Sequence, residues 1–371
     1  MALDWTNKKA VCKHATDDGD NLTQSLSPSS PAAVSVPYAD LISALDSVNA
    51  QPLWDRYGRV TRREPVAKDT PMCWAWADMA PLIDRATREV SMEDAERRVL
   101  LLTHPVFKES FGTTTNLSAG LQTLLPGEVA RAHRHTLQAI RFVMEGSGAV
   151  TSVNNQANQM QQGDFILTPA WTWHEHVHPG TERVVWFDGL DLPLCRDIDT
   201  MFFELGAEGK DVFDPPATRA PSLHANATVL KPDSFDAHGD SPSRFRYAKE
   251  RAWHALDAAT PDADGSRWLR YVNGESMGAV MPTLDCYLVA CAPHKTTRPR
   301  RSTSNAVCVV AQGQGSSQVG NKKFDWQRND VFTVPHWNWV SHTASDDAII
   351  FMMTDRELLA SLGYLREEIS K

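Results

Sequence analysis

"GDFILTPAWTWHEH" (163–176) and "NDVFTVPHWNWVSH" (329–342) align without a gap. The alignment sets Asp164 on Asp330, Pro169 on Pro335, Trp171 on Trp337 and Trp173 on Trp339. A second pair, "MEGSGAV" (144–150) and "AQGQGSS" (311–317), sets Gly146 on Gly313 and Gly148 on Gly315. The copies are displaced by 166 residues in the first motif and 167 in the second, so a one-residue indel separates two ordered matches. That order marks an internal duplication. Around the first copy lie "LSAGLQTLL", "AIRFVMEG", "GAVTSV" and "RVVWFDGL", short β-type runs broken by Gly, Pro and Asn. Many short strands at such spacing predict a sandwich or barrel, here present twice.

The rest of the chain is read outward from those blocks. Residues 1–38 include "LTQSLSPSSPAAVS", a composition that buries little and reads as a disordered arm. Residues 39–105 turn helical, with apolar spacing of three to four in "YADLISALDSV" and "WADMAPLIDRATREV". Ser91 and Asp94 resemble a capping box at the start of "MEDAERR". The first β block occupies 106–195, and an irregular connection with a short helix around "AKERAWHALDAA" occupies 196–270. The second block takes 271–371, where "DRELLASLGYLREEIS" is expected to close the chain as an amphipathic helix.

At 371 residues the chain exceeds one ordinary domain, which suits a duplicated fold. An apolar fraction of 42% with 22% charged residues is that of a globular protein. The net charge of −9 argues against nucleic acid or an anionic membrane as the main partner. The six cysteines are scattered, with no Cys-x-x-Cys pair and no disulfide-like framework. The first residues lack a signal-type apolar core, no segment approaches a membrane span, and a cytoplasmic protein is expected.

Chemistry concentrates in "ARAHRHTLQAIRF" (130–142). On a strand, His133 and His135 project to one side, and a hairpin partner ending in "TPAWTWHEH" brings His174 against them. Three imidazoles suit zinc, iron, copper or nickel, and a hydrogen-bonded structural cluster is the alternative. Arg141 shares the parity of His135, so it either clamps a carboxylate in the same cavity or lies on the surface. In the second copy these positions hold Arg300, Ser302, Val340 and Cys308. The C-terminal block is therefore expected to be metal-free and structural.

Gly127, His133, His135 and Gly146 resemble the first motif of the cupins, and Gly163, Pro169 and His174 resemble the second. The usual cupin glutamate would fall near Ala139, and none stands there. A three-histidine site without that carboxylate, together with "AGLQTLLPGEVARAHRHT" and "VVWFDGLDLPL", is similar to the gentisate 1,2-dioxygenase family, which includes salicylate and 1-hydroxy-2-naphthoate dioxygenases. The resemblance implies a mainly β bicupin: two tandem double-stranded β-helix (jelly-roll) barrels behind an N-terminal helical arm. It implies Fe(II) on His133, His135 and His174, and cleavage of gentisate by O₂ to maleylpyruvate. Salicylate, 5-substituted salicylates or 1-hydroxy-2-naphthoate are alternative substrates, and a homo-oligomer, tetrameric or dimeric, is the expected assembly.

Matched motifs imply further roles. Arg141 would bind the substrate carboxylate, with Arg97 and Gln122 lining the pocket. His176 would be a hydrogen-bonding or acid/base group beside the metal, and Asp188 would orient it. Ser118 stands where relatives often carry a large aromatic, so a wider pocket is expected. His178 reads as a loop residue, and Trp171 and Trp173 as core packing. The rival class is a zinc or manganese cupin, catalytic or purely ligand-binding, which would use the same histidines.

Overall fold

The computed structural model describes residues 38–54, 56–206, 228–230 and 244–370. Apart from Tyr38, the arm expected over 1–38 lies outside the described residues. The chain divides into a unit ending at Val66 and a larger one from Ala67 onward. The smaller unit carries helices α1 (Ala39–Ser47) and α2 (Tyr57–Val60).

The larger unit opens with β1 (Cys73–Trp74), α3 (Trp76–Glu89), α4 (Met92–Ala95) and β2 (Val99–Leu101). The expected capping box is present: Asp94 N–H donates to Ser91 Oγ at 3.1 Å. The first β block is β3 (Ser118–Leu124), β4 (Val129–His135), β5 (Ala139–Glu145), β6 (Ser147–Val153), β7 (Gln156–Gln161), β8 (Phe165–Thr168), β9 (His174–Val177) and β10 (Val184–Leu190). The connection holds α5 (Leu192–Asp197), β11 (Phe203–Leu205), β12 (Thr228–Leu230), β13 (Arg246–Tyr247), α6 (Lys249–Ala258) and β14 (Arg267–Tyr271). The second block is β15 (Asp285–Cys291), β16 (Arg300–Ser302), β17 (Ala306–Gln312), β18 (Gln314–Val319), β19 (Lys322–Gln327), β20 (Val331–Val334), β21 (Val340–Ala344) and β22 (Ala348–Thr354). The chain ends with α7 (Arg356–Ser361) and β23 (Glu367–Ile369).

Each block folds into two facing sheets. The first forms β13-β8-β5-β10-β3-β2 and β11-β4-β9-β6-β7; the second forms β1-β20-β17-β22-β15-β14-β12 and β19-β18-β21-β16-β23. Strand for strand, β3 to β11 repeat as β15 to β23. Register agrees with the sequence alignment, since His133 opposes His174 and Arg300 opposes Val340.

The edge strands are exchanged. β1, which precedes the first barrel, pairs with β20 of the second, while β13, which precedes the second, pairs with β8 of the first. The repeated aspartates hold this exchange. Asp330 accepts from Trp76 N–H at 2.7 Å, the first residue of α3, and from Gln327 N–H at 2.9 Å. Asp164 accepts from Lys249 N–H at 3.0 Å, the first residue of α6, and from Gln161 N–H at 3.0 Å. Neither helix has a capping side chain of its own, since Ala75 and Ala248 occupy the cap positions. A carboxylate from the facing barrel replaces it.

The larger sheets are buried on both faces. Outer-face residues Ile140, Phe142, Phe187, Val307, Phe351 and Met353 join one core between the barrels, where Phe142 stacks on Phe351 at 4.5 Å and 15°. Gly189 permits this approach, because a Cβ there would meet Met353 Sδ at 2.2 Å. Inner faces form separate cores, large in the C-terminal barrel around Phe324, Trp326 and Phe332, and smaller in the N-terminal barrel around Val143, Met160 and Trp186.

Three expectations change. The closing helix stops at Ser361, with Gly363 at φ +74, and the chain turns into β23 alongside β16. The left-handed glycine and the unpaired edge of β16 override the helical periodicity. Residues 39–105 also supply strands β1 and β2, besides helices. Cys195, Cys286, Cys291 and Cys308 are free and buried, whereas Cys73 is disulfide-bonded, which the scattered spacing did not suggest.

Phe351→Ala should destabilise the chain by about 3–5 kcal/mol, the usual loss for a buried aromatic. Urea unfolding followed by tryptophan fluorescence measures it.

Candidate metal and substrate site

The alternation that sends Ile140 and Phe142 outward sends Arg141 and Val143 into the first barrel. Inside, His133 and His174 lie opposite one another on β4 and β9, with ring centroids 4.0 Å apart. His135 follows at 5.2 Å from His133 and 4.9 Å from His174. One nitrogen from each of the three lies within 4.8 Å of the others, and all three residues are buried. Among the described residues no other trio of His, Cys, Asp or Glu converges in this way.

Backbone carbonyls orient two of these rings. His135 Nδ1 donates to Leu137 O at 3.0 Å and His174 Nδ1 to Thr172 O at 2.9 Å, which turns each Nε2 lone pair inward. His174 Nε2 is buried and has no partner. Arg97 reaches His133 Nδ1 with its guanidinium and donates to Arg131 O at 2.5 Å.

Burial, then the neighbouring arginines Arg97 and Arg141, hold His133 down at about 2; burial and Arg141 hold His135 at about 4. His174 is likewise well below the ordinary value, through burial, His133 and Arg141. The cluster is therefore neutral at pH 7, the state in which imidazole binds a metal. Three neutral nitrogens, one of them orphaned, fit a divalent transition ion.

Arg141 is buried beside the cluster. Its Nε lies 3.3 Å from Asp188 Oδ1, a charge pairing without hydrogen-bond alignment, and its Nη1 donates to Thr168 Oγ1. Asp188 also accepts from Trp186 Nε1 at 3.1 Å. Burial pushes the Asp188 carboxyl up, and Arg141 opposes that rise. Arg97, with burial the first cause and Arg141 the second, is lowered to about 10. Gln122 Nε2, Arg97 Nε and His176 Nε2 are buried without partners. Gln122 and Arg97 leave donors that a bound carboxylate or hydroxyl would satisfy, and His176 leaves a ring nitrogen that a hydroxyl would pair with.

The other expected residues sort differently. Asp188 holds Arg141, not His176, whose Nδ1 pairs with Thr151 Oγ1 at 2.8 Å. The second barrel repeats that pair as His342 and Ser317 at 2.7 Å. Ser118 is spent on Phe111 O at 2.8 Å, and four residues of strand, about 13 Å, separate it from Gln122. His178 is a loop residue, with Gly180 N–H donating to its Nδ1 at 3.2 Å. Trp173 is buried, but Trp171 is 38% exposed, so core packing describes only one of them. Both rings flank Arg134, whose guanidinium carbon lies 4.5 and 4.8 Å from their centroids.

The sequence reading missed Phe203. On β11 it opposes His135, and its ring lies 5.3 Å from that of His133. Only the apolar run "MFFEL" (201–205) hinted at a strand there.

The pattern of the cupin domain matches residues 120–190. Gentisate 1,2-dioxygenase 1 of Aquipseudomonas alcaligenes is 36% identical over 342 residues, covering 90% of this chain and 97% of the relative. The 5-aminosalicylate 1,2-dioxygenase of Comamonas sp. is 32% identical over 86% of this chain and 87% of the relative. Among solved structures, salicylate 1,2-dioxygenase of Pseudoaminobacter salicylatoxidans, an adduct with gentisate, superposes with a TM-score of 0.78 at 27% identity, covering 94% of this chain and 98% of that one.

The depressed histidines set a pH dependence for the metal-free protein. Below 6.5 the unfolded chain gains protons that buried His135 refuses until about 4. Stability is whole above 6.5 and falls as pH drops toward 4, by about 3 kcal/mol for this residue. Melting of chelator-treated protein between pH 7.5 and 5 should show the fall, and His135→Asn should lessen it by this residue's share while His133 and His174 keep the remainder.

Proposed function

The chain belongs to the gentisate 1,2-dioxygenase family of cupin proteins, and from that premise we propose that it cleaves gentisate with O₂ to give maleylpyruvate. The observation that carries the reading is the junction, at one end of one barrel, of three neutral imidazoles with a buried arginine. His133, His135 and His174 would hold Fe(II), which supplies the electronic coupling between an electron-rich ring and O₂.

The chain's own side chains bind and orient. Arg141 faces an anion from a low-dielectric wall, where its charge acts strongly on a substrate carboxylate. Asp188 is a positioning residue, fixing the guanidinium through Nε while Thr168 fixes Nη1. Arg97 adds a second positive charge on the His133 side, and Gln122 offers an unpaired amide to a ring hydroxyl. His176 presents a free Nε2 for a hydrogen bond or proton, its Nδ1 being tied to Thr151. Ser118 donates to a loop carbonyl about 13 Å along the strand from Gln122, so its small side chain does not widen the space beside the histidines. A tetramer in the cytoplasm completes the proposal; among the described residues no helix is long and apolar enough to cross a membrane.

The test is anaerobic loading with Fe(II) followed by oxygen uptake with gentisate, salicylate and 5-substituted salicylates. Uptake fastest with gentisate is expected; no uptake with any of them, or zinc as the sole tightly held metal, overturns the reading. Arg141→Ala should keep its iron and lose about 10²–10³-fold in kcat/KM, the scale of a removed charge-assisted pair, while His133→Ala should lose the iron. His176→Asn and His342→Asn should lower the melting temperature alike, since both break a His–hydroxyl bond, but only His176→Asn should lower kcat.

A further inference from the structure

The C-terminal barrel holds a solvent-open cavity of about 780 Å³, well within the range of small-molecule sites. It lies where the N-terminal barrel keeps its histidines, because Arg300, Ser302, Val340, His342 and Cys308 all line it. Those residues replace His133, His135, His174, His176 and Arg141 in the alignment. Loss of the long Arg141 side chain to a cysteine, and of His174 to valine, vacates volume that the fold does not refill. Phe324, Trp326 and Phe332 belong to the apolar core behind the cavity, where Phe332 opposes Cys308 and its ring lies 5.9 Å from that of His342.

The charges around this cavity are not equivalent. Arg356 is gripped by Glu367 at 2.6 and 2.9 Å, and Arg301 by Glu368 at 2.8 Å. Arg270 is held between Asp285 and Glu357. Arg300 makes one 3.3 Å contact with Asp262, whose side chain is 52% exposed, and its Nε finds no partner. Its guanidinium carbon lies over the Trp268 ring, 4.1 Å from the centroid, and Tyr287 meets Trp268 edge-on at 6.3 Å. Burial, then Arg300, lowers His342 to about 4, so it adds no charge at neutral pH. Ala306, Cys308, Val340 and Met352 add apolar wall.

We propose that the C-terminal barrel is a second small-molecule site, which binds a carboxylate carried on a planar apolar body. Arg300 pairs with the carboxylate, displacing its weak contact to Asp262. Trp268 and Tyr287 face the ring, and the apolar wall takes the remainder. Among the described residues this barrel brings no trio of His, Cys, Asp or Glu together to hold a metal.

Benzoate is the probe, since it lacks the ortho-hydroxyl, and the iron-loaded full chain under argon is the sample. Binding is read by saturation-transfer NMR and by quenching of tryptophan fluorescence. Arg141→Met, which weakens capture in the other barrel, should keep one saturable benzoate site per chain. Adding Arg300→Met should weaken that site at least tenfold, and adding Cys308→Phe, which pushes a ring in from the apolar wall, should also weaken it at least tenfold. Acetate and benzyl alcohol, lacking the body and the charge respectively, should each bind at least tenfold more weakly. Single Arg300→Met and Cys308→Phe variants should retain gentisate-dependent oxygen uptake, which shows that they fold. Absence of saturable binding in Arg141→Met, equal affinity with and without Arg300, or equal binding of benzyl alcohol overturns the proposal. Each of these results is independent of whether gentisate is turned over.

Discussion

Phe142 stacked on Phe351 is the contact on which the site's geometry depends. It belongs to a core that buries the outer faces of both large sheets, so each of their strands has no solvent face to spare. Alternation then leaves no freedom: if Ile140 and Phe142 go outward, Arg141 must go inward, and if Phe187 goes outward, Asp188 must go inward. Burying an arginine is costly unless it is paired. Arg141 and Asp188 meet that requirement because the register of β5 and β10 sets them opposite each other. A polar site is thus forced into the barrel by apolar packing outside it.

The same reciprocity governs the chain order. Each barrel is completed by an edge strand that precedes the other, and each of those strands leads into a helix whose first N–H is accepted by the repeat aspartate of the barrel it covers. An exposed sheet edge would be a template for unwanted pairing, and here the partner barrel covers it. Asp164 and Asp330 persist in both copies because each closes a turn with one oxygen and caps a helix with the other.

Much of this was legible in the sequence because it rests on local periodicity. Period-two runs located the strands, the two alignments located the duplication, and His-x-His on a strand placed two imidazoles on one face. What escaped rests on long-range partners. Asp188 was read as orienting His176, but across-strand register gives it Arg141, and register between distant strands is invisible in a single run of residues. Ser118 has the parity of Gln122, yet parity does not tell how far along the strand a side chain stands from the cluster. The closing stretch has helical spacing, and a strand edge outcompetes it after Gly363. Phe203 sits in a connection whose local pattern carries almost no signal.

The duplication also separates what the architecture needs from what the chemistry needs. Arg134 lies between Trp171 and Trp173 and pairs with Glu204 on β11; Arg301 lies between Trp337 and Trp339 and pairs with Glu368 on β23. In both copies the first tryptophan takes a left-handed φ, +58 and +57, and its N–H donates to the carbonyl of the residue at the second ligand position. This strap ties a terminal strand across the mouth of each barrel, so it serves the fold. The histidine–hydroxyl pair at His176 and His342 survives in the same way. His133, His135, His174 and Arg141 do not survive, although Arg300 and Cys308 show that the strands form without them. Selection on the fold alone therefore explains the tryptophans and the aspartates, while the three imidazoles and their arginine require a ligand to explain them.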